Sequence, residues 1–101
     1  MSVRTGRLAV VRRRIDRLDA QLLRLINRRA RLALVIGRIK DRKKWPVYDA
    51  RREAFVLRHV AGTNRGPLSA RAVRQIFLAV LTQCRRRERD GKGRKTVGRR
   101  P

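Results

Sequence analysis

Apolar residues recur at three- and four-residue intervals from Leu8 through Val11, Ile15, Leu18, Leu22, Leu25, Leu32 and Ile36 to Ile39. Such spacing puts one apolar stripe on one face and predicts an amphipathic α-helix from about Leu8 to Arg42. Gly37 interrupts this pattern without ending it, and a glycine there is expected where another backbone approaches closely. Lys43, Lys44, Trp45 and Pro46 form the break, because the residue before a proline is driven out of helical dihedrals. Asp49 reads as the N-cap of a second helix, with Ala54, Phe55, Leu57 and Val60 as its apolar positions up to Gly62. After a loop over 62–68, Ser69 reads as the cap of a third helix bearing Val73, Ile76, Phe77, Val80, Leu81 and Cys84. From Arg89 onward only Val97 is apolar, so the pattern predicts a frayed basic tail. No segment alternates with period two, and the expected fold class is all-α with three helices, one long and two short. The expected division is a flexible segment over 1–7, a helical domain over 8–88 and a basic flexible tail over 89–101.

The unequal helix lengths carry a further expectation. A helix from Leu8 to Arg42 is ~52 Å long, against a radius of gyration of ~13 Å for a compact domain of this size. Two short partners cannot cover its stripe, so an intertwined homodimer with the long helices packed on each other is expected.

Composition then narrows the chemistry. The chain has 101 residues, 30 Lys+Arg against 7 Asp+Glu, and a formal net charge of +23. Apolar residues at 42% suffice for a folded domain, while aromatics at 4% leave few large side chains for a core. A single cysteine, Cys84, excludes an intramolecular disulfide and any multi-cysteine zinc site. No apolar run approaches ~18 residues, so a membrane span is not expected and the chain reads as cytoplasmic. Charge of this size raises nucleic acid as a partner, with binding that salt would weaken. There is no glycine-rich phosphate loop, nucleophile elbow or metal-ligand cluster, and His59 has no triad partners near it in the sequence.

Residues that break the stripe are the candidates for a site. Arg29 falls on the seam between Leu25 and Leu32, where a guanidinium must be paired, face a cavity or snorkel past the seam to water. Lys40, eleven residues on, shares that face ~16 Å along the axis, so both side chains can converge on an anion of metabolite size. Arg12 lies ~25 Å and about 100° away from Arg29. It is either a solvated arginine or part of a site completed by a partner subunit. Asp49, Arg52 and Glu53 lie together around the start of the second helix, which capping and a surface ion pair would also explain. Cys84 reads by default as a small core residue, and Glu88 extends its stripe by four positions, as a site carboxyl or a solvated terminal one.

Arg12 with Ile15, Asp16, Leu18 and Asp19, then Leu22, Leu23, Asn27, Arg28 and Arg29, form part of the run RRIDRLDAQLLRLINRR and its flank. VIGRIK over 35–40 and PVYDARRE over 46–53 follow. Together these runs resemble the all-α chorismate mutase family, from about Leu8 to Glu88. The resemblance implies an intertwined three-helix dimer that converts chorismate to prephenate by a Claisen rearrangement, with no cofactor and no metal. It further implies Arg29, Lys40 and Glu88 as catalytic residues, with Arg12 reaching in from the other subunit. Arg12 and Arg29 match positions that hold two carboxylates, whereas Asp49, Arg52 and Glu53 match those near the ring hydroxyl. The third helix departs from the pattern, since Cys84 stands where a small hydroxyl residue is usual and a thiol is a weak donor. Glu88 can donate to the ether oxygen only when protonated, so activity is expected to fall as pH rises through its ionisation.

Other readings remain open at this level. The same shell of Arg12, Arg29 and Lys40 would suit the 4-amino analogue of chorismate, and an isochorismate–pyruvate lyase shares the fold but differs around Val47, Tyr48 and Asp49. A nucleic-acid-binding module leaves Arg29 in an apolar seam without a reason, as it does Asp49 and Glu53. Residues 85–101 hold nine basic and two acidic residues, a tail suited to docking an acidic partner enzyme.

Overall fold

α1 spans Val3–Lys43, α2 spans Ala50–Thr63 and α3 spans Ala70–Val97. The structure is a computed structural model and describes residues 3–97. At 1.5 Å per residue the 41 residues of α1 give about 61 Å, which is the longest dimension of a particle measuring 61 × 38 × 14 Å. The radius of gyration is 18.4 Å, well above the ~13 Å of a compact chain of this length. α3 is the element on which the other two pack.

Each boundary has a local cause. α1 ends in a Schellman turn: Lys44 takes a left-handed φ of 61°, Trp45 N donates to Lys40 O at 2.8 Å and Lys44 N to Asp41 O at 3.3 Å. Pro46 follows and prevents resumption of the helix. The Asp49 side chain caps α2 by accepting from Arg52 N at 3.0 Å, and Ser69 Oγ caps α3 by accepting from Ala72 N at 3.0 Å. Both caps are those that the sequence predicts.

At both ends the helices run past the limits 8 and 88 of the expected helical domain. Residues 3–7 are helical, and α3 runs on through 89–97, where a flexible tail is expected from the sequence. Arginine and lysine are good helix formers, Arg87 pairs with Asp90 at 2.7 Å, and Gly91 is buried against α1. A side chain at Gly91 would collide with the carbonyl oxygen of Leu34 and lie 3.3 Å from Arg38 N. The terminal residues 1–2 and 98–101 of the expected flexible segments lie outside the described residues.

The face of α1 that meets α3 is made of small residues, not of the large apolar stripe. Ala33 and Gly37 are buried there, and a Cβ on Gly37 would lie 2.8 and 2.9 Å from the carbonyl carbon and Cα of Glu88. The expected close approach is therefore to the backbone of α3. Leu8, Val11, Ile15, Leu18, Leu22, Leu25 and Leu32 keep between 42% and 66% of their surface exposed. Among the described residues the buried apolar side chains are Ala33, Val56, Val73, Leu81 and Cys84. Val56 lies off the predicted stripe of α2, whose Phe55 is exposed.

Candidate functional site

Where α1 and α3 cross, the start of α2 closes over them and a cavity of about 410 Å³ remains. α1 supplies Arg29, Leu32, Ala33, Ile36 and Lys40, at intervals of three and four that keep them on one face. α3 supplies Leu81, Cys84 and Glu88 by the same rule, and Val47, Asp49, Arg52 and Glu53 come from the connection and first turn of α2. The Schellman turn at Lys44 folds the chain back so that Val47 faces Lys40.

Three cations and three carboxylates share this lining, and their pairing determines what is left for a ligand. Lys40 Nζ donates to Glu88 Oε1 at 2.8 Å and to Val47 O at 2.6 Å. The two side chains are 14% and 18% exposed, so the pair is largely out of water. An ammonium has three donors, which leaves one of Lys40's for a ligand. Glu53 is held by Arg85, with Nε to Oε2 at 2.9 Å and Nη2 to Oε1 at 2.8 Å. The hydrogen bond to Glu53 raises the pKa of the Arg85 guanidinium, against a lowering by burial. Arg85 also lies over the Tyr48 ring, 5.0 Å from its centroid. Asp49 is engaged as the cap of α2.

Arg29 and Arg52 remain, and among the described residues neither has an ion-pair partner. The Arg52 guanidinium lies 5.3 Å from the Phe55 ring centroid, and Phe55 in turn stacks on His59 at 5.7 Å. His59 is thus an exposed residue of α2, as its sequence context suggests. A half-buried cavity with apolar walls and two unpaired guanidiniums is suited to a small anion, which guanidiniums hold through paired hydrogen bonds. Among the described residues no group of three His, Cys, Asp or Glu could hold a metal ion. No helix among them is long and apolar enough to cross a membrane.

Seven of the eight residues expected from the sequence meet in this cavity: Arg29, Lys40, Asp49, Arg52, Glu53, Cys84 and Glu88. Arg12 does not, being exposed on the first half of α1 and about 25 Å from Arg29 along the axis. Arg85 belongs to the cluster although sequence reasoning passed over it. The available signal was indirect: a carboxylate such as Glu53 inside a cavity needs a cationic partner.

The family model described as Chorismate mutase type II matches residues 11–89. The bifunctional chorismate mutase/prephenate dehydratase of Pseudomonas aeruginosa is 40% identical over 82 residues, covering 76% of this chain and 22% of that protein. Its counterpart in Neisseria gonorrhoeae is 41% identical over 73 residues, 72% of this chain and 20% of that protein. This chain therefore spans about a fifth of the length of these curated relatives. Among solved structures, form II of the chorismate mutase from Thermus thermophilus superposes with a TM-score of 0.80 at 31% identity. That match covers 82% of this chain and 96% of the Thermus chain.

Proposed function

The chain belongs to the chorismate mutase type II family, and from that premise we propose that it converts chorismate to prephenate. The observation that carries this reading is the cavity in which Arg29 and Arg52 stand unpaired beside the Lys40–Glu88 pair. In a Claisen rearrangement one carbon–oxygen bond breaks as one carbon–carbon bond forms, and the electrons move around a six-membered ring. No proton changes place and no nucleophile is required. Catalysis therefore consists of holding an extended dianion in a compact conformation with its reacting carbons close. It also consists of stabilising the negative charge that grows on the ether oxygen.

These residues can carry out both tasks. Arg29 binds one substrate carboxylate, and Lys40 directs its remaining N–H toward the ether oxygen. Because Glu88 Oε1 accepts from Lys40, donation by Glu88 to the same oxygen requires a proton on its other oxygen. Asp49, Arg52 and Glu53 face the ring hydroxyl. Cys84, small and buried, contributes a weak thiol donor.

The second carboxylate requires Arg12, and Arg12 requires a second copy of the chain. The exposed apolar stripe on the first half of α1 supports such a dimer, since an apolar face of this extent marks an association surface. Each site would then combine Arg29 of one protomer with the Arg12 contributed by its partner.

The direct test follows loss of chorismate absorbance with the purified chain and with Arg29→Ala. The unmutated protein should turn over chorismate, and Arg29→Ala should lower kcat/KM by about 10²–10³, the usual cost of deleting one charged contact to developing or bound charge. Absence of turnover by the unmutated protein between mildly acidic and neutral pH would reject the reading.

A further inference from the structure

Arg85 stands behind the cavity wall as the partner of Glu53, and the proposed mechanism leaves it without a task. Its guanidinium takes both oxygens of Glu53, at 2.9 and 2.8 Å, and rests on the Tyr48 ring. The two side chains are only 21% and 16% exposed, so solvent screens this pair less than a surface one. We infer that Arg85 is a specificity-determining residue, committing the Glu53 end of the cavity to a substrate with a neutral hydroxyl there and disfavouring the same substrate with an ammonium group. The inference rests on the proposed reading of the cavity and deepens it by choosing between chorismate and its 4-amino analogue.

The discrimination depends on what Glu53 has left to offer. An unpaired carboxylate in a half-buried cavity is the natural partner of an ammonium. Arg85 cancels that charge, and an ammonium arriving at Glu53 would meet a guanidinium within the same few ångströms. A hydroxyl asks for less. A carboxylate has about four acceptor positions, and the two bonds from Arg85 leave two of them for a neutral donor. Selection by an added repulsive element of this kind discriminates without strengthening the preferred complex. The stack on Tyr48 holds the guanidinium in place and limits its freedom to swing away.

The test compares kcat/KM for chorismate and for 4-amino-4-deoxychorismate in the unmutated chain, Arg85→Gln, Arg85→Lys and Glu53→Gln, with thermal melting of each. The unmutated chain should prefer chorismate. Arg85→Gln should move the ratio toward the amine by about tenfold, the worth of one charge-assisted hydrogen bond. Arg85→Lys keeps the charge and should stay near the original ratio, whereas Glu53→Gln should move it further against the amine. Opposite shifts from the two partners of one ion pair are not produced by loss of packing. If the unmutated chain rearranges neither substrate, the proposed function itself falls, and the inference with it. If it rearranges chorismate and Arg85→Gln leaves the ratio unchanged, or if it prefers the amine, the inference alone is overturned. Should Arg85→Gln not fold, Glu53→Gln decides: a ratio that does not move against the amine overturns the role of Arg85.

Discussion

Gly37 shows how far one missing side chain can govern this site. Its α-carbon lets the backbone of Glu88 approach so closely that an added methyl would lie 2.8 Å from the carbonyl carbon of that residue. Lys40 stands three residues further along α1, and its bond to Glu88 depends on the same crossing. Gly37→Ala should therefore push α1 and α3 apart, costing about 1–3 kcal/mol as overpacking typically does. It should also lower kcat rather than raise KM alone. Urea unfolding at fixed protein concentration and steady-state kinetics would check this, and a variant with unaltered midpoint and kcat would refute the role of the crossing. At this scale Arg29 and Lys40 were legible because a charge on an apolar seam violates a strong periodicity. Arg85 was not, since 30 basic residues surround 7 acidic ones and spacing alone does not say which arginine neutralises Glu53.

At the scale of elements, the turn after α1 sets where the connection returns to the cavity. Its two hydrogen bonds require a left-handed residue at position 44, and a lysine with φ of 61° occupies it. Glycine adopts that conformation without a Cβ penalty. Lys44→Gly should accordingly stabilise the protein, by about 0.5–1 kcal/mol after the greater freedom of glycine in the unfolded chain is offset. A higher midpoint of urea unfolding at equal protein concentration is the expected result, and an unchanged or lower one would mean that the turn is not strained. Caps at Asp49 and Ser69 and the break at Pro46 were readable because each rests on a local rule. The face each helix turns to its neighbours was not, for a tertiary reason. α1 offers Ala33 and Gly37 to α3 and leaves Leu8, Leu18, Leu22 and Leu25 exposed, so the largest stripe does not mark the contact within the chain. On α2 it is Val56 that is buried, while Phe55 takes part in a stack with Arg52 and His59 at the surface. α3 likewise outruns its apolar pattern, because Gly91 gives its basic end a backbone contact that no hydrophobic count registers.

At the scale of the molecule, the long exposed stripe and the distance of Arg12 from the cavity are two aspects of one geometry. A particle 14 Å thick and 61 Å long leaves Ile15, Leu18 and Leu22 exposed and holds Arg12 far from the cavity of its own chain. A partner protomer would cover the former and receive the latter, which gives a prediction that depends on the exchange itself. On the proposed roles, Arg12→Ala and Arg29→Ala should each be nearly inactive alone, since each would remove a carboxylate contact from every site. Refolded together in equal amounts, about half of the dimers are mixed by simple statistics. In a mixed dimer, one site combines the intact Arg29 of the first variant with the intact Arg12 of the second, while the other site lacks both. The mixture should therefore recover about a quarter of the unmutated activity, one working site in each of half the dimers. If Arg12 instead served the cavity of its own chain, every site in the mixture would lack one arginine and no activity would return. Recovery measured against each variant refolded alone thus separates an arginine shared between subunits from one that is merely solvated.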